Sequence, residues 1–132
     1  MTDRLAVQLR QGVDIVSVER IKEMIRRQSH AFTRRVFTAK ERAYCEPKRA
    51  KEQHYAARFA AKEAFIKAAQ LPGRVKFSLK DIEVRNRSTG KPYIYLTRRA
   101  EKLFGLPKQY RTELSLSHER DHAVATVLLI FP

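Results

Sequence analysis

Apolar residues along this chain change their spacing near its middle, separating an N-terminal stretch of mostly helical period from a C-terminal stretch that alternates. Residues 1–11 read as a short, loosely specified arm. Gly12-Val13-Asp14-Ile15-Val16-Ser17-Val18 follows, β-branched on both faces, the pattern of a buried strand. Asp14 shares one face with Val16 and Val18, a costly place for a lone carboxylate unless something pairs with it. Ile21, Met24 and Ile25 then recur at helical spacing. Thr38-Ala39-Lys40-Glu41 is a capping box that opens a further helix, which stops before Pro47. Lys48–Lys51 makes a basic connection.

The longest helix is predicted over about residues 52–70, ended by Leu71-Pro72-Gly73. At about 100° per residue, Ala57, Ala60, Ala61, Ala64 and Ala68 fall on one arc, where another element can approach closely. Tyr55, Phe59 and Ile66 form a second apolar stripe, with Arg58 and Lys62 to one side and Glu63 and Lys67 to the other. Such a helix packs on two sides and leaves Glu63 at a border. Beyond it, Ile82 and Val84 alternate with polar residues, Ser88-Thr89-Gly90 turns, and Tyr93–Leu96 returns as a strand. Arg98–Phe104 reads as a short helix closed by Gly105 and Pro107. Leu114 and Leu116 alternate with Ser115 and Ser117, and His118-Glu119-Arg120-Asp121 turns into Ala123–Phe131. The expectation is one α+β domain over residues 1–132, with an antiparallel sheet packed against the long helix.

Hydrophobic residues make up 43% of the chain, enough for a real core at this length. No apolar run approaches the roughly 18 residues of a membrane span, and Met1–Leu5 lacks the zones of a secretory signal. The lone Cys45 excludes an internal disulfide and reads as a buried structural thiol in a reducing cytosol. The expected location is therefore cytoplasmic, with no membrane partner. Charge narrows the partners: 28 Lys and Arg against 14 Asp and Glu give +14, a surface that attracts polyanions. Nucleic acid, a phosphate-rich cofactor and an acidic protein all satisfy that field. An RNA-binding protein of ribosomal type explains the charge and the basic loop at Lys48–Lys51. It does not explain acids in the two most ordered elements, where they repel phosphate unless a cation intervenes.

Those acids, Asp14 and Glu63, suit magnesium, which takes oxygen ligands and is usually held by one or two carboxylates plus substrate phosphates. Arg58, Lys62 and Lys67 lie within about two helical turns of Glu63, placed for phosphate oxygens. Simpler readings stand beside these. Glu63 and Lys67 form an ordinary ion pair at i,i+4, Asp14 caps a turn or pairs with an arginine, and His118 with His122 is a weak metal signal.

Five blocks in order carry a resemblance: Gly12-Val13-Asp14-Ile15-Val16, Arg35–Cys45, Ala57–Lys67, Gly90-Lys91-Pro92 and Leu114–His118. From Gly12 onward the chain resembles the holo-acyl-carrier-protein synthases, small-class 4′-phosphopantetheinyl transferases. That resemblance implies transfer of 4′-phosphopantetheine from coenzyme A to a serine of apo acyl carrier protein, leaving adenosine 3′,5′-bisphosphate. It implies catalytic, magnesium-binding roles for Asp14 and Glu63, and contacts of Arg58 and Lys67 with the cofactor phosphates. Gly90, Lys91, Pro92, Ser117 and His118 match positions around the adenosine end, and Arg20 a position that docks the carrier. It further implies a homotrimer, with the metal cluster on one chain and the adenosine cluster on its neighbour. The base that takes the serine proton stays open between Glu63 and a water on the metal. Two features depart from the pattern: residues 1–11 run ahead of the usual start, and Val16 stands where larger relatives carry a second acid.

Overall fold

The computed structural model describes residues 6–132. Strand β1 (Gln8–Ser17) leads into helices α1 (Val18–Gln28), α2 (His30–Val36), α3 (Ala39–Cys45) and the long α4 (Lys51–Ala69). A 3-10 turn at Leu79–Asp81, the hairpin β2 (Glu83–Asn86) and β3 (Pro92–Tyr95), helix α5 (Arg98–Leu103) and strands β4 (Arg111–His118) and β5 (His122–Phe131) complete the chain. The α+β expectation holds, but the strands form two antiparallel sheets, one ordered β1-β5-β4 and one of β2-β3. Helix α4 lies on one face of the larger sheet and meets α1, α3 and β2 with its remaining surface.

The alanine arc explains how closely α4 can lie. Ala57, Ala60, Ala61, Ala64 and Ala68 are all buried, and β1 presents Gly12 to them. A Cβ on Gly12 would run into the Ala64 carbonyl and stand 2.8 Å from the Ala68 backbone nitrogen. Glycine is thus needed for clearance between two backbones. In β1 the residues Gly12, Asp14 and Val16 share the face turned to α4, as the alternation of side chains requires.

Beginning at Gln8, β1 takes in residues 8–11 of the expected arm, with Gln8 opposite Phe131 and Gln11 opposite Leu128; residues 1–5 lie outside the described residues. The strand is also buried on one face only. Leu9, Val13 and Ile15 are 65%, 55% and 64% exposed, because no second layer among the described residues covers the outer face. β-Branched composition marks a strand, but it does not say how many layers cover it. Helix α2, which the apolar spacing did not indicate, adds the buried Phe32 and Val36.

The expected capping box is present, with Thr38 accepting from the Glu41 amide and Glu41 accepting from the Thr38 amide. Glu41 does more than cap. Its carboxylate accepts from Lys62 Nζ (2.8 Å) and from the Val84 amide (2.7 Å), and Lys62 also donates to the carbonyls of Leu79 (2.9 Å) and Ile82 (2.6 Å). All three ammonium donors are therefore used inside the core. Lys62 is fully buried, which removes it from the residues available to phosphate. Cys45 is buried as expected, and burial pushes its thiol up to about 12.

Replacing Gly12 by alanine should force β1 off α4 and lower stability by about 1–3 kcal/mol or more, the usual range for overpacking. The urea midpoint measures this, and an unchanged midpoint would contradict the close approach.

Candidate active site

One helix carries two clusters. Glu63 and Lys67 lie about 40° apart around α4, whereas Arg58 and Glu63 lie about 140° apart, so the two clusters occupy different faces.

The first cluster joins β1 to α4. Lys67 Nζ donates to the Val13 carbonyl (3.0 Å) and to Asp14 Oδ1 (3.1 Å), so the half-buried Asp14 has the partner its position demands. Glu63 is half-buried beside it. Burial, and then the charge of Asp14, push the Glu63 carboxyl above the ordinary carboxylate range, while Lys67 and Arg20 pull it down. The i,i+4 ion pair between Glu63 and Lys67 does not form among the ion pairs present; Lys67 turns to Asp14 instead. The Asp14 charge opposes ionisation of Glu63, and an ammonium group is already drawn to Asp14, so the site is one that a cation would relieve. The described residues hold no group of three or more His, Cys, Asp or Glu side chains suited to a metal. The donor set therefore fits an ion that completes its shell with substrate phosphates, as magnesium does. His118 and His122 do not combine: His122 Nδ1 faces Glu119 at 3.3 Å, and His118 Nδ1 faces Gln53.

The second cluster lies along α3, the start of α4, β2 and the tip of the β2-β3 hairpin. Arg58 is 3% exposed. Its Nη2 donates to Asn86 Oδ1 at 2.5 Å and its guanidinium lies 3.9 Å from the Tyr44 ring centre, while its Nε has no partner among the described residues. Asn86 in turn donates to the Gly90 carbonyl at 3.0 Å, closing the hairpin turn in which Gly90 takes φ +93°. Lys91 reaches toward the Leu114 carbonyl on β4 at 3.5 Å. His118, at the end of β4, packs its ring 5.0 Å from that of His54, which stands edge-on to Tyr44. A cavity bordered by Lys40, Tyr44, Arg58, Arg85 and Tyr93 has no acid in its lining.

The structure therefore brings Asp14, Glu63, Lys67 and Arg20 together, and Arg58 with Gly90, Lys91, Pro92 and His118. It separates Arg58 from Glu63, because sequence distance of about one turn still rotates a side chain to another face. Ser117 is set apart as well: alternation in β4 puts it on the outer sheet face, opposite the inward row of Leu114 and Leu116 that His118 continues. Sequence reasoning missed Tyr44, Gln53, His54 and Asn86. Of these only Asn86 had a local signal, its place four residues before the turn glycine.

The family model of the 4′-phosphopantetheinyl transferase superfamily matches residues 10–127, and the chain belongs to that superfamily. It is 46% identical over 118 residues to a holo-[acyl-carrier-protein] synthase of Geobacter sp. (strain M21), covering 89% of this chain and 94% of that one. Among solved structures it is similar to the ACPS-CoA complex of Chronobacterium ammoniagenes, with a TM-score of 0.82 and 31% identity over 95% of this chain and 98% of that one. It is also similar to the Helicobacter pylori holo-[acyl-carrier-protein] synthase in complex with coenzyme A, with a TM-score of 0.77 and 29% identity over 90% of this chain and 98% of that one. The RNA-binding alternative finds no support in these matches.

A carboxyl whose folded pKa is raised binds more protons folded than unfolded, so it subtracts stability once pH exceeds its unfolded value. Glu63→Gln should accordingly unfold at higher urea than the parent at neutral pH, with the difference vanishing as pH falls below the ordinary carboxylate range. Denaturation at both pH values tests this, and a variant less stable at neutral pH would remove the electrostatic account of the pair.

Proposed function

We infer that this chain transfers 4′-phosphopantetheine from coenzyme A to a serine of an apo acyl carrier protein, releasing adenosine 3′,5′-bisphosphate. The observation that carries the reading is that α4 joins two clusters, a carboxylate pair of Asp14 from β1 and its own Glu63, and a cationic and aromatic cluster around Arg58. Its support is the similarity to synthases, two of them in complex with coenzyme A.

In this reaction the serine oxygen bonds to the phosphorus that carries pantetheine, the bond to the bridging pyrophosphate oxygen breaks, and the serine loses its proton. The protein has mainly to position both partners and offset the phosphate charge. Asp14 and Glu63 are the residues that would hold magnesium, which when bound supplies charge neutralisation at the pyrophosphate. Lys67, on Asp14 here, exchanges that contact for a phosphate oxygen on its flexible stem. Glu63, with its raised affinity for protons, is one holder for the serine proton. Arg58, Gly90, Lys91, Pro92 and His118 receive the nucleotide end, and Ser117 serves only if a neighbouring chain comes to the outer face.

That outer face also supports a homotrimer. Leu9, Val13 and Ile15 leave an apolar row open on β1, and the two clusters point to different sides of α4. In the proposed assembly the metal cluster of one chain meets the nucleotide cluster of the next. Exposed Arg20, at the first turn of α1, would dock an acidic helix of the carrier close to Glu63. No described helix is long and apolar enough to cross a membrane, and with the buried thiol of Cys45 this supports a cytoplasmic setting.

Mass spectrometry of an apo carrier protein incubated with the enzyme, coenzyme A and magnesium should show a gain of one phosphopantetheine. Asp14→Asn and Glu63→Gln should each cut the rate by several orders of magnitude while folding normally. A carrier left unmodified by the parent enzyme, or near-normal turnover of either variant, contradicts the reading. The shared site is tested separately by mixing Glu63→Gln with His118→Ala chains. Partial return of activity is expected, since some mixed interfaces then hold two intact clusters. No return, with subunit exchange confirmed by mass, would place both clusters in one chain.

A further inference from the structure

His54 and Gln53, in the first turns of α4, are not among the residues assigned above, yet both bear on His118. The His54 ring lies 5.0 Å from the His118 ring at 65° and 5.8 Å from Tyr44 at 72°. Gln53 Oε1 stands 2.9 Å from His118 Nδ1. The charges acting on His54 are all cationic or become so: His118 from β4, Lys48 from the α3–α4 connection and Arg58 one turn along α4. Tyr44 is the group facing it from α3. The acids Glu19, Glu52 and Asp121 lie beyond Gln53, in a neighbouring cavity with Lys22 and Arg120.

We propose that Gln53 and His54 are positioning residues for His118, and that a phosphate-bearing nucleotide entering this cluster draws a proton onto the His54–His118 pair. The inference rests on the reading that the nucleotide end binds here. With Gln53 Oε1 accepting, His118 Nδ1 carries a hydrogen, so Nε2 can donate to a phosphate only in the imidazolium form. In the free protein, Lys48 and Arg58 oppose a further positive charge, and burial followed by these neighbours holds the His54 pKa below the ordinary imidazole range. An arriving phosphate reverses the local field and favours the charged form. Protonation of the cluster is therefore favoured in the complex. Protons are taken up on binding between the free and bound values, and affinity falls as pH rises through that window.

The test is calorimetric titration of the full chain with adenosine 3′,5′-bisphosphate from about pH 6 to about pH 8, the range in which imidazole titrates. Buffers of different ionisation enthalpy give the proton count along with Kd. The parent protein should take up protons near neutrality, with Kd weakening by up to about tenfold per pH unit for one full proton. His54→Phe keeps a ring against His118 and should lower the proton count and flatten the pH profile. Gln53→Glu, whose carboxylate favours imidazolium, should move the weakening to higher pH. The ligand's own phosphate titration is common to all three proteins and cancels in the comparison. Proton counts and profiles that match the parent in both variants would overturn the inference. Absence of nucleotide binding to the parent would instead overturn the reading of the site, and this inference with it.

Discussion

The carboxylate side of the candidate active site depends on how closely β1 lies against α4. Gly12 has no side chain, Ala64 and Ala68 have almost none, and the two backbones meet. Two residues further along the same strand face, Asp14 is carried to the level of Glu63 and Lys67. Tight packing here has a chemical effect, because Asp14 sits close enough to Glu63 to raise its cost of ionisation. A longer side chain at position 12 would widen the gap, and that coupling decays with distance.

The opposite flank of α4 is held by different means. Glu41 and Lys62 form a buried ion pair whose remaining hydrogen-bonding groups are all met by backbone, from the α3 cap to the 3-10 turn and β2. Breaking one partner of such a pair is costly because it strands the other charge. Through this knot the position of β2, and hence of Asn86 and the hairpin tip, is referred to the same helix that carries Arg58. The face carrying Asp14 and Glu63 is thus set by steric fit and the face carrying Arg58 by polar satisfaction, each read from one side of α4.

Much of this was legible in the chain. The alanine spacing foretold a close neighbour for α4, and the Thr38–Glu41 box opened α3 where expected, since caps are local chemistry. The quoted blocks, Ala57–Lys67 above all, carried the family. What escaped was set by tertiary context. Lys62 read as a cation available to phosphate because nothing near it in sequence reveals Glu41 as a partner 21 residues away. The outer row of β1 read as buried because β-branched residues suit a strand whether or not a second layer covers it. The histidine pair was invisible for the same reason, its members being separated by most of α4, the β2-β3 hairpin, α5 and β4.

Cys45 has a practical consequence. It is the chain's one thiol, it is sealed in the core, and its proton is held well into the alkaline range. Thiolate is the species that reacts with alkylating and oxidising agents, so the folded molecule offers them almost nothing. Any labelling that does occur must pass through an opened state, and its rate then reports how often the core around α3 comes apart. The molecule in this way contains a single-site clock for its own opening, with no engineered probe required.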